Sequence, residues 1–213
     1  MPLYFLLHDA ARFERCLRPA LSEAWRRRSF APCRALLAEL APAALAFCER
    51  FHVNREELLL FQLNQGLPFE RGSWRLLVGE VLLYGAAEVP ELQSAPETLT
   101  WLLAPEQRNQ PARPRERFLP IEQAHFGARD LILDGPYRPE HAGWNDAADV
   151  DRLAAYLASC SPERWTVADL PGRPDSAEDA EEELEFARQC LFQLRDLYGG
   201  AAERGQVVVC EHL

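Results

Sequence analysis

The segments Leu3-Tyr4-Phe5-Leu6-Leu7 and Gln206-Val207-Val208-Val209-Cys210 lie near opposite ends of the 213-residue chain and decide its fold. Each is a short apolar run of strand length, and the second is rich in β-branched residues. The sequence between them is mostly helical in pattern. We expect the two segments to pair side by side at the centre of one body. This predicts an α+β fold, rich in helix, whose small sheet includes the N-terminal and C-terminal strands.

Apolar residues at helical spacing fill the chain between these two strands. The run from Cys33 to Phe51 follows this spacing but contains Pro42. A proline inside a helix removes one backbone hydrogen bond, so we expect two short helices, the second beginning at Pro42. A long helix is predicted from Ser176 onward, and its buried face consists of Leu184, Ala187, Leu191, Leu194 and Tyr198.

Residues 105–120 differ in composition from the rest of the chain, because prolines and arginines alternate there. That density of proline predicts an extended connection. We expect residues 1–213 to form a single α+β domain, with this connection as a possible subdomain boundary. After it, Leu131-Ile132-Leu133 is followed by Asp134-Gly135-Pro136, which predicts a short strand that ends in a turn.

The charge and residue composition exclude several classes of protein. The chain has 33 acidic and 23 basic residues, giving a net charge of −10, so binding to nucleic acid or to an anionic membrane is disfavoured. It contains no lysine, which excludes Schiff-base and P-loop chemistry. No apolar stretch reaches the roughly 18 residues of a membrane span. The cysteines form no CxxC motif, and we expect reduced thiols in a cytoplasmic bacterial protein.

The C-terminal part of the chain resembles a known bacterial family. Leu194–Tyr198 followed by Ala201–Val209 looks like the end of the YfbM-like family of unknown function. Gly135-Pro136-Tyr137-Arg138, followed by a helix at Asp146–Cys160, is similar to that family's middle segment, and Tyr4–Leu7 fits its start. The resemblance covers roughly the last 80 residues. It implies an α+β fold, a soluble cytoplasmic protein and no established activity, so no catalytic residue is carried over.

Histidines and acidic residues concentrate between residues 125 and 146. Candidate catalytic residues are His125, Asp130 and His141, since imidazole and carboxylate groups serve in acid–base chemistry and as ligands of divalent metals. Asp134, Asn145 and Asp146 lie in the same stretch. The spacing matches no zinc-protease or EF-hand motif, so neither a metal nor a cofactor is predicted. Turn-forming acids and surface histidines are the alternative interpretation.

Arginines around the same region form a candidate binding surface. Arg113, Arg115 and Arg138 could hold a phosphate or a carboxylate, while Tyr137 and Trp144 could stack on a ligand. A solvated loop, with the two aromatic residues packing it against the core, is the alternative.

Acidic residues dominate the start of the predicted long helix. Glu181, Glu182 and Glu183 belong to a run of seven acids between residues 175 and 185. Acids at a helix start interact favourably with the helix dipole, and such a run is often only a solvated face. The functional interpretation is a surface that binds a basic protein partner and speeds encounter with it.

These patterns support two hypotheses for the function. The first is a non-enzymatic protein-binding module, of an immunity or regulatory type, that uses the acidic surface. The second is a small-molecule- or metal-dependent enzyme with its site in residues 125–146. The chain has no GxSxG, Walker A, GxGxxG or HExxH motif, which favours the first. The first hypothesis predicts that the protein binds a basic protein partner and binds neither nucleic acid nor membrane. It leaves the oligomeric state open.

Overall fold

The computed structural model of the chain describes residues 2–7, 9–105, 114–131, 142–171 and 176–212. Its strands are β1 (Pro2–Leu7), β2 (Arg129–Asp130), β3 (Ala142–Asn145) and β4 (Val207–His212). Its helices are α1 (Ala10–Arg12), which continues through a π turn (Phe13–Leu17) into α2 (Arg18–Arg27), then α3 (Arg34–Phe51), α4 (Leu59–Leu63), α5 (Arg71–Gly85), α6 (Pro96–Leu103), α7 (Pro120–Phe126), α8 (Ala147–Ser159) and α9 (Ala177–Glu203).

The four strands form one antiparallel sheet in the order β1-β4-β3-β2. The two ends of the chain are direct neighbours in it, and Phe5 pairs with Val209. On its other side β4 pairs with β3, where Trp144 lies opposite Val209. This confirms the predicted α+β fold, with its small sheet built on the N-terminal and C-terminal strands.

Helices cover both faces of the sheet. Because successive strand residues point to opposite faces, alternate side chains enter two separate cores. Phe5 and Val209 belong to the core shared with α2, α3 and α5. Tyr4 and Val208 belong to the core shared with α6, α7, α8 and α9. The nearly continuous apolar sequence of β1 and β4 is therefore explained by burial on both sides.

The prediction of a helix break at Pro42 was wrong. α3 runs without interruption from Arg34 to Phe51, with Pro42 inside it. Pro42 lies on the exposed side of the helix, and so does Ala38, whose carbonyl loses its partner. Water can reach that carbonyl, so the missing hydrogen bond costs less here than in a buried helix.

The interpretation of residues 105–120 as an extended connection was only partly right. Residues 106–113 lie outside the described residues. Of the rest, Arg115–Arg117 forms a single 3-10 turn, and α7 begins at Pro120. A proline suits the first turn of a helix because its missing N–H has no partner there.

The short strand after this connection also differs from the prediction. It lies at Arg129–Asp130, slightly earlier than Leu131–Leu133, and residues 132–133 are not described. The sequence did not predict β3 at all.

One helical stretch, Ala31–Phe51, is long and apolar enough to cross a membrane by length and composition alone. Its buried residues Leu36, Leu37, Leu40, Ala44 and Cys48 belong to the first core. All six cysteines are unpaired. The cytoplasmic location itself stays a prediction.

Candidate functional site

His125, the first of the candidate catalytic residues, lies on α7 and is completely buried. A hydrogen bond of 3.0 Å joins its Nδ1 to the Tyr4 hydroxyl of β1. Burial is the main reason that the pKa of Tyr4 lies well above its usual value, so this phenol keeps its proton. The pair links α7 to the sheet beneath it and has no exposed face in the described structure.

Asp130 and Arg115 are brought together at the edge of the sheet. Arg115 Nε donates to Asp130 Oδ1 at 2.8 Å. The same guanidinium donates to the carbonyl of Gly127 at 2.7 Å and to that of Phe126. Only 13% of the Arg115 side chain is exposed. Arg115 therefore fastens the connection between α7 and β2 through its own protein contacts.

Trp144, predicted as a ligand-stacking residue or a packing residue, is 3% exposed on β3. Its ring meets Phe13 edge to face at a centroid distance of 4.9 Å. The guanidinium carbons of Arg18 and Arg129 lie 5.3 and 5.7 Å from the indole centroid. This geometry corresponds to the alternative interpretation, in which the indole packs the loop against the core.

Four predicted site residues lie outside the described residues, namely Arg113, Tyr137, Arg138 and His141. Within the described ranges, no group of three or more His, Cys, Asp or Glu side chains is placed to hold a metal ion. The hypothesis of an enzyme site at residues 125–146 therefore stays a prediction.

Asn145, which lies in the same stretch as the candidate catalytic residues, is fully buried and joins three elements. Its Nδ2 donates to the Gln123 carbonyl at 3.0 Å and to the Tyr198 hydroxyl at 2.8 Å, while its Oδ1 accepts from Ala128 N at 2.8 Å. Tyr198 in turn donates to the Ala124 carbonyl at 2.8 Å. A buried hydrogen-bond network of this kind, with its donors and acceptors paired, fixes the positions of α7, β3 and α9 relative to one another.

Removing the Tyr198 hydroxyl tests this network. We expect Tyr198→Phe to lower the free energy of unfolding by about 1–3 kcal/mol, because one Asn145 hydrogen and the Ala124 carbonyl lose a buried partner. Tyr84→Phe is the matched control: Tyr84 is 9% exposed, and its hydroxyl has no hydrogen-bond partner within the described ranges. Urea denaturation measures both variants, and equal losses would contradict the assignment.

The acidic residues predicted as a docking surface lie on α9, the longest described helix. Ser176 caps its start by accepting a hydrogen bond from Asp179 N at 3.0 Å. Leu184, Leu191 and Tyr198 hold the opposite side of the helix in the second core. The side that faces away from this core is therefore free to carry polar residues at helical spacing.

A broad and shallow concavity, open to solvent, lies along that outward side. We call its lining the α9 face, which consists of Asp179, Glu182, Glu183, Glu185, Phe186 and Gln189. Phe186 is 39% exposed, and Phe192, just beyond the lining, is 43% exposed. Of the predicted acids, Glu182 and Glu183 belong to this face, whereas Glu181 is exposed beside it.

The arginines of α9 neutralise the α9 face only in part. Arg188 donates to the Pro162 carbonyl at 3.2 Å and the Trp165 carbonyl at 2.8 Å, and it reaches Glu185 only at 3.6 Å. Arg195 is bound to the carbonyls of Leu157 and Cys160. Both guanidinium groups are turned toward the loops after α8. Glu182 has no ion-pair partner within the described residues.

The acids of this face were predicted from the sequence, whereas Phe186 and the neighbouring Phe192 were not. Phe186 and Phe192 fall between the buried positions of α9 rather than on them, and this offset was a signal available in the helical spacing.

Comparisons with protein-family models, with curated proteins and with solved structures find no match to this chain. The resemblance to the YfbM-like family therefore stays a prediction.

Proposed function

We propose that this chain is a non-enzymatic protein-binding module whose α9 face binds a basic, amphipathic segment of a partner protein. The observation that carries the proposal is the position of Phe186, an exposed aromatic side chain inside a concavity otherwise lined by acids and one glutamine. Aromatic residues ringed by polar ones are typical of protein-binding surfaces.

The charge of the α9 face selects the chemistry of the partner. Arginine or lysine side chains at helical spacing would meet Glu182 and Glu183, and an aliphatic side chain between them would cover Phe186. Complementary charge also speeds the encounter of the two proteins at low salt. A neutralising or regulatory role toward a basic protein fits this mode of binding.

The test uses a synthetic amphipathic helical peptide that carries arginines on one face and leucines on the other. We expect calorimetry to show binding that weakens as salt is added, because salt screens the attraction between the arginines of the peptide and the acids of the α9 face. Phe186→Ala should weaken binding by roughly tenfold or more, as expected for an aromatic residue at the centre of an interface. The double change Glu182→Arg and Glu183→Arg should abolish it at physiological salt.

Two matched controls separate the α9 face from general attraction to an acidic protein. Phe51→Ala removes another exposed phenylalanine, 53% exposed at the end of α3. The double change Glu56→Arg and Glu57→Arg reverses two neighbouring exposed acids outside α9. Both controls should bind the peptide as the wild-type protein does. Equal loss in controls and α9 variants, or no binding at low salt, would overturn the proposal.

A further inference from the structure

A carboxyl group is buried where the ladder that joins β1 and β4 ends. Glu211 is 1% exposed, and it lies on the same face of β4 as Val209, toward α5. A Cβ at Gly79 of α5 would lie 3.9 Å from Glu211 Oε2, and no described residue donates a hydrogen bond to that oxygen. A buried charge without such bonds is costly, so this packing favours the neutral carboxyl.

The surroundings of Glu211 offer its charged form one favourable interaction. Arg75 of α5 is the charged group that favours ionisation, and burial outweighs it, raising the pKa of Glu211 to about 7. The residues paired with Glu211 on the neighbouring strands are Leu3 of β1 and Ala142 of β3, and neither residue type titrates. Within the described ranges, the charge of Glu211 is therefore opposed only by a guanidinium that does not bind its Oε2.

The backbone hydrogen bonds of β1 alternate between its two sides. Leu6 bonds outward, since its N–H donates to the Glu88 carbonyl at 3.0 Å and its carbonyl accepts from Ala87 N at 2.8 Å. Because this direction alternates along an antiparallel strand, Leu3 and Phe5 bond inward. Both residues therefore exchange hydrogen bonds with the residues opposite them on β4.

One hydrogen-bonded pair holds Glu211 in this ladder. Leu3 lies opposite Glu211, and the described ladder ends one pair further, where Pro2 lies opposite His212. Pro2 has no N–H to donate. We call these four residues, Pro2, Leu3, Glu211 and His212, the ladder end. Separating the ladder end breaks few backbone hydrogen bonds, so it can occur as a local opening without unfolding of the sheet.

We propose that Glu211 makes the ladder end a pH-sensitive switch, which is closed when the carboxyl is protonated and opens more often when the carboxyl is ionised. The closed form buries the charge, whereas the open form lets water solvate it. The closed form therefore holds its proton more tightly, and raising the pH lowers the free energy of opening. The effect begins near pH 4.5 and levels off above about pH 7.

Native-state hydrogen exchange of the full chain, followed by NMR, tests the switch. The reporters are the amides of Leu3 and Glu211, and the amides of Phe5 and Val209 are the comparison inside the ladder. After correction for the intrinsic exchange rate at each pH, we expect the reporters to be protected at least about tenfold less than the comparison amides. Between pH 5 and pH 8 the protection of the reporters should fall by roughly tenfold to a hundredfold.

Two variants and a control assign this pH dependence to the carboxyl. Glu211→Gln cannot ionise, so the protection of the Leu3 amide should no longer depend on pH. Arg75→Gln removes the charge that favours ionisation, so the fall in protection should become larger and extend to higher pH. Glu88→Gln is the matched control, because Glu88 is 56% exposed beside the same strand, and it should keep the wild-type pH dependence.

Three results would overturn the proposal. In the first, the reporters are as protected as Phe5 and Val209 at every pH, so that only global unfolding exposes Glu211. In the second, the pH dependence of the Leu3 amide is the same in Glu211→Gln as in the wild-type protein. In the third, which decides the matter should Glu211→Gln not fold, Arg75→Gln leaves the pH dependence unchanged.

Discussion

Gly127→Ala is expected to lower the free energy of unfolding by about 3–5 kcal/mol, near the upper end for a single substitution. Natural domains are stable by only about 5–15 kcal/mol, so this change removes a large share of the total. The melting temperature should fall by roughly 10 °C for a chain of this size.

The size of this effect follows from two separate features of Gly127. Its backbone has φ +78° and ψ 145°, a region open almost only to glycine. In addition, a Cβ at this position would collide with the backbone of β3, lying 2.8 Å from Gly143 Cα and closer still to Trp144 N. Gly143 cannot move away, because its own surroundings include the Arg115 guanidinium and the Arg129 carbonyl.

Gly66→Ala separates the two contributions. Gly66 also has a positive φ, +87°, but nothing lies within 4 Å of a Cβ placed there. We expect a loss of only about 1 kcal/mol, from backbone strain alone. Thermal and urea denaturation compare the two variants, and a Gly127→Ala protein as stable as the Gly66→Ala protein would contradict the packing described for β3.

The second large effect concerns Glu211, a buried carboxyl group on the central strand β4. The side chain is 1% exposed, and its Oε2 has no hydrogen-bond partner among the described residues. Burial raises the pKa of Glu211 to about 7, although Arg75 of α5 favours the charged form. Gly79 of the same helix lies against it, with its Cβ position 3.9 Å from Oε2.

The direction of the pH effect follows from comparing the folded and unfolded states. Below a pH of about 4.5, the usual pKa of a glutamate, the carboxyl is neutral in both the folded and the unfolded state. The folded state then buries no charge at Glu211, and the contribution of this residue to stability is at its highest. As the pH rises toward 7, the unfolded chain loses this proton while the folded chain keeps it, so the contribution of Glu211 to stability falls. Above pH 7 both states are charged and the loss levels off at about 3 kcal/mol.

Glu211→Gln should remove this dependence, since glutamine does not titrate. The variant should be more stable than the wild-type protein at pH 8 and gain less, or nothing, at pH 5. Urea denaturation at the two pH values measures the difference, with Glu49→Gln as the control at an exposed position. Identical pH profiles for the wild-type and Glu211→Gln proteins would show that the carboxyl is solvated in the folded state.

The two terminal strands could be predicted from the sequence because burial on both faces leaves a continuous apolar run. β3 could not be predicted, since three of its four residues, Ala142, Gly143 and Asn145, are weak strand formers. Its conformation comes from pairing with β2 and β4, and from the hydrogen bonds of Asn145 with α7 and α9. Contacts between residues so far apart in the sequence cannot be predicted from a local sequence pattern.

The candidate sites show the same limit. The acidic run was visible in the sequence, but only the structure shows that Glu182 and Glu183 share a concavity with Phe186 while Glu181 does not. His125 was named for its chemistry, and only the fold reveals that it is buried against Tyr4.

The most direct test of the proposed function is NMR chemical-shift mapping with the arginine–leucine peptide on the full chain. The proposal predicts that perturbed backbone amides concentrate between Asp179 and Gln193, and that they lose their perturbation in Phe186→Ala. Perturbations spread evenly over the acidic surface, or centred on another element, would contradict a binding site on α9.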